Sequence, residues 1–274
     1  MKEKVSQLSD QDYLKLSNNK RFDGKFQLIA DLDNEKILVP LKKVSISCEC
    51  RGPTAATNVE LTYVNTNEES PMECEYIFPI DKSTILAKFE ASIDGKTIMT
   101  NVKEKEQAKE IYDDAVAGGN VAVIAKRKKK EETLSLKLGN LAPGQEATLK
   151  LQIVNSLEIV GSHYMFSLPM AFYPDYSKFG VDVANFAYEF TYAIKIIAKG
   201  TITSLSLPNS AEVTNKNDDK TEITIECPEP SRNMDLYYRT ADMLVPELLY
   251  TETADGKEVA CSVSLVPTFE PVAP

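Results

Sequence analysis

Acid–base and nucleophilic chemistry in this 274-residue chain would have to pass through one histidine, His163, because the sequence holds no other. Ser162 precedes it, and a Ser–His pair is the start of a nucleophilic centre. Adjacent residues of a strand point to opposite faces, however, and no G-x-S-x-G elbow presents a serine at a strand–helix turn. The pair therefore reads as a strand or turn histidine beside a serine. Cys48 and Cys50 raise the question of a metal. Two residues apart on a strand they share a face, yet a zinc site needs four donors, and neither a second C-x-x-C nor a histidine pair is present. Core packing is the better account, since a reduced cysteine behaves as a small hydrophobe. No convergent acid, base and nucleophile emerges, so no enzyme activity, cofactor or resident metal is expected.

The strongest local charge feature is Lys126-Arg127-Lys128-Lys129-Lys130. Between two apolar runs it is expected at a projecting hairpin tip. There five cations either attract an acidic protein surface, serve as an import-type sequence, or stand solvated and balanced by Glu131 and Glu132. The solvated loop is the default for a charge run; the first alternative makes these five residues the candidate partner-binding set. The formal net charge of −10 repels phosphate and anionic lipid over most of the surface, which argues against nucleic acid as a partner. No apolar run approaches bilayer-spanning length, and MKEKVSQLSDQDYLKLSNNK has no apolar stretch behind its charges, so membrane insertion is not expected. Five cysteines, an odd number scattered through strand-like runs, and the lack of an N-x-[ST] sequon point to a reducing, cytoplasmic address.

Short alternating runs set the architecture. Residues 1–24 form a polar N-terminal extension. KFQLIADLDNEKILVPL then reads as two strands parted by Asp33 and Asn34, and in KKVSISCECRG the residues Val44, Ile46, Cys48 and Cys50 share one face. NVELTYVN, MECEYIFPI and ILAKFEASIDGKTIM follow, the last with the Asp94-Gly95 hairpin signal. NVKEKEQAKEIYDDAVAGG breaks this pattern: Asn101 and Glu104 make a capping box, Gly118-Gly119 end the segment, and Ala108, Ile111, Tyr112 and Ala115 recur at helical spacing. A helix over about 102–117, laid against a sheet, is expected. After it come VAVIAK, ETLSLKLGNL, EATLKLQIVNSLEIV and HYMFSLPM, with Gly139, Asn140, Pro143 and Gly144 in one tight connection. A second series runs through FAYEFTYAIKIIAKG, TSLSLP, TEITIEC, MDLYYRT, ELLYTET and KEVACSVSLVP. The expected fold class is mainly β: two antiparallel β-sandwich-like domains, residues 25–177 with one inserted α-helix and residues 178–270, followed by a tail at 271–274.

Between about Val39 and Tyr176 the order of these features resembles the VIT domain family, named for the vault-associated ADP-ribosyl transferase and the inter-α-trypsin inhibitor heavy chains. The resemblance rests on VPLKKVSISCECRG, LTYVN, YIFPID, KFEASIDGKTI, VKEKEQAKEIYDDA, LGNLAPGQEA and FSLPMAFYP. It implies structural roles for Lys103, Glu104, Lys105, Ala108, Tyr112, Gly139, Asn140, Pro143 and Gly144. The C-terminal LVPTFEPVAP is similar to the segment that in intracellular relatives runs into a von Willebrand A domain. That domain's D-x-S-x-S metal motif is not completed by Asp81-Lys82-Ser83-Thr84 or Asp175-Tyr176-Ser177. The implied function is a non-enzymatic protein–protein interaction or scaffold module within a larger assembly. The alternatives are a regulatory or structural piece of a multidomain enzyme such as a vault-type ADP-ribosyl transferase, or a stalk for a separate von Willebrand A adhesion domain. Exposed sheet edges add self-association as a partner expectation.

Overall fold

The computed structural model of the chain describes residues 28–32, 35–66, 69–79, 84–93, 95–99, 123–128, 133–168, 188–208, 210–228, 235–252, 256 and 259–265. The strands among them are β1 (Leu28–Leu32), β2 (Glu35–Leu38), β3 (Leu41–Arg51), β4 (Thr54–Val64), β5 (Met72–Pro79), β6 (Thr84–Ile93), β7 (Lys96–Met99), β8 (Val123–Lys128), β9 (Thr133–Leu141) and β10 (Glu146–Ser156). They continue with β11 (Glu158–Val160), β12 (His163–Phe166), β13 (Glu189–Ile197), β14 (Ile202–Ser206), β15 (Glu212–Lys216), β16 (Glu222–Cys227), β17 (Leu236–Thr240), β18 (Glu247–Glu252) and β19 (Val259–Ser264). The expected mainly β class is borne out. The expected helix at 102–117, with Lys103, Glu104, Lys105, Ala108 and Tyr112, lies outside the described residues, as does the extension 1–24.

Among the described residues four sheets form: β2-β1-β5-β9-β8, β15-β16-β13-β3-β4-β10-β6-β7, β11-β12-β17-β14, and the pair β18-β19. The eight-stranded sheet is the spine. β3, β4 and β10 are 11 residues each, roughly 36 Å at 3.3 Å per residue, about twice an ordinary strand. Their length follows from what they carry. Val44, Ile46, Cys48 and Cys50 of β3 and Ala55, Thr57, Val59, Leu61 and Tyr63 of β4 are buried along one face, as alternation requires. At one end of that face the Tyr63 ring lies 6.1 Å from the Tyr76 ring of β5, in the five-stranded sheet. At the other end Tyr238 of β17, in the four-stranded sheet, donates its hydroxyl to Gly52 O at 3.0 Å. Two smaller sheets thus cover opposite ends of one long apolar face, and a single buried cluster runs through all three.

This arrangement joins the two expected sandwiches. The expected boundary near residue 177 does not interrupt hydrogen bonding: β13 lies beside β3 in parallel, from Glu189↔Lys43 to Ile197↔Arg51, and β16 and β15 extend the same sheet. β13 can do this because Tyr192, Ile194 and Ile196 alternate inward like their β3 neighbours. Turn chemistry sets the local reversals. β1 and β2 pair through Leu32↔Glu35 across the expected Asp33-Asn34 turn, and β6 and β7 through Ile93↔Lys96, where Gly95 takes φ +72°.

Candidate interaction surface

The residues singled out for chemistry sit in separate places. His163 opens β12. Gly161 O lies 2.9 Å from its Nδ1 and Ser204 Oγ 3.0 Å from its Nε2. A carbonyl only accepts, so Nδ1 carries the proton in the first bond, and in the neutral ring Nε2 accepts from the Ser204 hydroxyl. Ser162, the residue weighed from sequence, sits at φ +65° in the preceding turn. Ser204 is the actual partner, 41 positions away on β14, and no local signal announces it. The contact ties the turn before β12 to β14.

Cys48 and Cys50 face each other at 3.8 Å between sulfurs inside the core. Their mutual thiol contact, then burial, push the Cys50 thiol well above the usual range. Burial, with Glu73 nearby, lifts Cys74 to about 12, and burial lifts Cys227 to about 12. Such thiols stay protonated and behave as apolar side chains. Cys261 alone among the five is exposed.

The 139–145 connection is organised by a residue that sequence reasoning passed over. Asn65 is fully buried just after β4; its Nδ2 donates to Leu141 O at 2.8 Å and Ser70 O at 3.2 Å. Its backbone receives Gly144 N at 2.9 Å and donates to Gln145 O at 3.0 Å. Pro143 and Gly144, the latter at φ +69°, form the turn, whereas Gly139 and Asn140 belong to β9. There the register slips, Met72 opposing Leu141 while Cys74 opposes Leu138, so β9 spends one extra residue in a bulge. Glycine at 139 suits that irregular stretch.

The basic run begins within the sheet. Lys126, Arg127 and Lys128 are the last three residues of β8, an edge strand, and pair with Ser135, Leu134 and Thr133. Lys129 and Lys130 lie outside the described residues.

Between the spine and β18 lies a cleft of about 360 Å³ lined by Tyr164, Lys199, Asp242 and Glu247 among others. Glu247 pairs with Lys199 at 2.6 Å. Burial, then Asp242 and Glu247, hold the Tyr164 phenol above its usual range. Asp242 approaches Gly200 so closely that a Cβ there would meet its Oδ1 at 2.9 Å, so a larger residue would displace the Asp242 side chain.

Among the described residues, several exposed large apolar side chains gather on the β18-β19 hairpin. Leu248↔Val263 and Tyr250↔Cys261 are directly opposed, so these four side chains share a face. Leu248 is 63%, Tyr250 73% and Val263 72% exposed. Val259 and Leu265 continue the exposed face. On the opposite face Glu247 and Ser264 are half-buried toward the body. The pairing is described as far as Glu252↔Val259, and between the strands Gly256 takes φ +66°.

The sequence profile of the vault protein inter-alpha-trypsin domain matches residues 41–153. This segment is a VIT domain. It takes in β3 to β9 and most of β10, and contains the motif positions named for the resemblance. The chain is similar to human von Willebrand factor A domain-containing protein 5A, at 31% identity over 144 residues, 52% of this chain and 18% of that protein. It is similar to human protein mono-ADP-ribosyltransferase PARP4, at 34% over 137 residues, 50% of this chain and 8% of that protein. A von Willebrand factor A domain-containing protein of Dictyostelium discoideum aligns over 252 residues at 27% identity, 89% of this chain and 26% of that protein. The chain thus spans about a quarter or less of the length of these curated relatives. Among solved structures, an M1 zinc metallopeptidase from Deinococcus radiodurans shares 12% identity at a TM-score of 0.38, covering 88% of this chain and 47% of that one, a likeness that carries no functional argument.

Proposed function

We propose that this protein is a non-enzymatic protein–protein interaction or scaffold module of the VIT type, working in a larger assembly. The observation that carries the reading is the company the domain keeps. About half of this chain aligns with 18% of a von Willebrand factor A domain-containing protein and about half with 8% of a mono-ADP-ribosyltransferase. A unit found beside such different neighbours supplies something both need, and surface recognition is a simpler common denominator than a shared reaction. Five free cysteines, four of them in the core, fit work in the reducing cytoplasm. Protein partners are the targets, through Lys126–Lys130, the apolar hairpin or both.

The test is affinity capture from native extract with intact protein and with Lys126, Arg127, Lys128, Lys129 and Lys130 replaced by serine, at low and high salt. A partner held by the basic run is lost with the replacement and weakened by salt. The enzyme-piece reading, which the 34% identity to a mono-ADP-ribosyltransferase keeps in play, predicts instead that the chain alters transferase turnover when added to such an enzyme. Turnover by the chain itself, abolished by His163→Ala, would reject the non-enzymatic reading.

A further inference from the structure

From the outer face of the β18-β19 hairpin we infer that it is a self-association surface, whose occupant is the same face of a second copy of this chain. This rests on the interaction-module reading and names one partner for it. The hairpin pairs with no third strand among the described residues. An isolated two-stranded sheet is marginal in water without packing on its apolar face. Its inner side is tethered to the body through the Glu247–Lys199 ion pair, while Leu248, Tyr250, Val259, Val263 and Leu265 face solvent.

Area and charge select the occupant. Those five side chains offer on the order of 500 Å² of apolar surface per copy. Two copies together bury roughly 1,000 Å², at the weak, reversible end of specific interfaces. The face suits two-fold packing because it is its own complement: two ribbons, each with Leu248↔Val263 and Tyr250↔Cys261 at the centre, stack like the layers of a sandwich. Charge does not oppose it locally, despite −10 overall. The one ionisable carboxylate in register on this face, Glu252, sits at the loop end opposite Val259, and antiparallel stacking places the two copies' Glu252 at opposite ends. No cation lies on the face among the described residues to favour an acidic partner.

Sedimentation velocity on the full chain from about 1 to 200 µM reads the state directly. The expected result is a monomer–dimer equilibrium with a midpoint of about 1–100 µM, shifted at least tenfold by Val263→Asp and unaffected by Val213→Asp on the far edge strand β15. Alkylation of Cys261, exposed in the single chain, should slow as concentration rises and the second copy covers it, and Cys261→Ser should remove that signal. That measurement holds even if Val263→Asp folds poorly. A monomer at 200 µM with Cys261 alkylated equally fast at every concentration overturns the inference, and so does a dimer indifferent to Val263→Asp. A monomeric Val263→Asp that still captures partners from extract leaves the module reading standing, so the two failures are separable.

Discussion

β4 and β18 are written in the same alternation and end in opposite circumstances. In β4, Ala55, Thr57, Val59, Leu61 and Tyr63 turn inward and meet two covering sheets. In β18, Leu248 and Tyr250 turn outward and meet none among the described residues. Alternation says which residues share a face; it does not say what covers that face, because the covering element comes from elsewhere in the chain or from another molecule. The spine's apolar face therefore contributes to stability, while the hairpin's remains free for association.

Substitutions should separate the two regions. The largest effect belongs to the spine: Leu61→Ala leaves a cavity where sheets converge and should cost about 2–5 kcal/mol, measured by urea unfolding. Next, Asn65→Ala strands the carbonyls of Leu141 and Ser70 and should cost about 1–3 kcal/mol by the same measurement. Alkali sharpens the contrast from another side. Cys74 and Cys227 titrate near 9 when unfolded and about 12 when folded, so the folded state holds more protons across that window. Their contribution is complete below pH 9 and falls as pH rises, so unfolding midpoints should be flat from pH 7 to 8 and decline above 9. Tyr238→Phe, which removes the hydroxyl bonded to Gly52, should cost about 1 kcal/mol. Val263→Asp should change monomer stability by no more than about 0.5 kcal/mol while weakening association.

Much of the spine was legible because its signals are local. The inward face of β3, the reversals from β1 to β2 and from β6 to β7, and the set of strands after residue 188 all follow from period-two alternation and turn residues a few positions apart. What was hidden is non-local. Nothing in KKVSISCECR or FTYAIKII states that β13 will lie parallel to β3, almost 150 residues away, because register is decided by which apolar faces can share a layer. Ser204 beside His163 and Asn65 beneath the Pro143-Gly144 turn were missed for the same reason: each contact joins segments far apart in sequence. The bulge that draws Gly139 and Asn140 into β9 appears only once β5 and β9 are aligned. At the interaction surface, the basic run was conspicuous as a charge block, whereas the hairpin's openness depends on the neighbours it lacks.

Hydrogen exchange at two protein concentrations tests the central contrast most directly. The account predicts slow, concentration-independent exchange in β3, β4 and β10, and faster exchange in β18 and β19 that slows as concentration rises. Equal protection of β18 and β19 at both concentrations, as strong as that of β4, would contradict it.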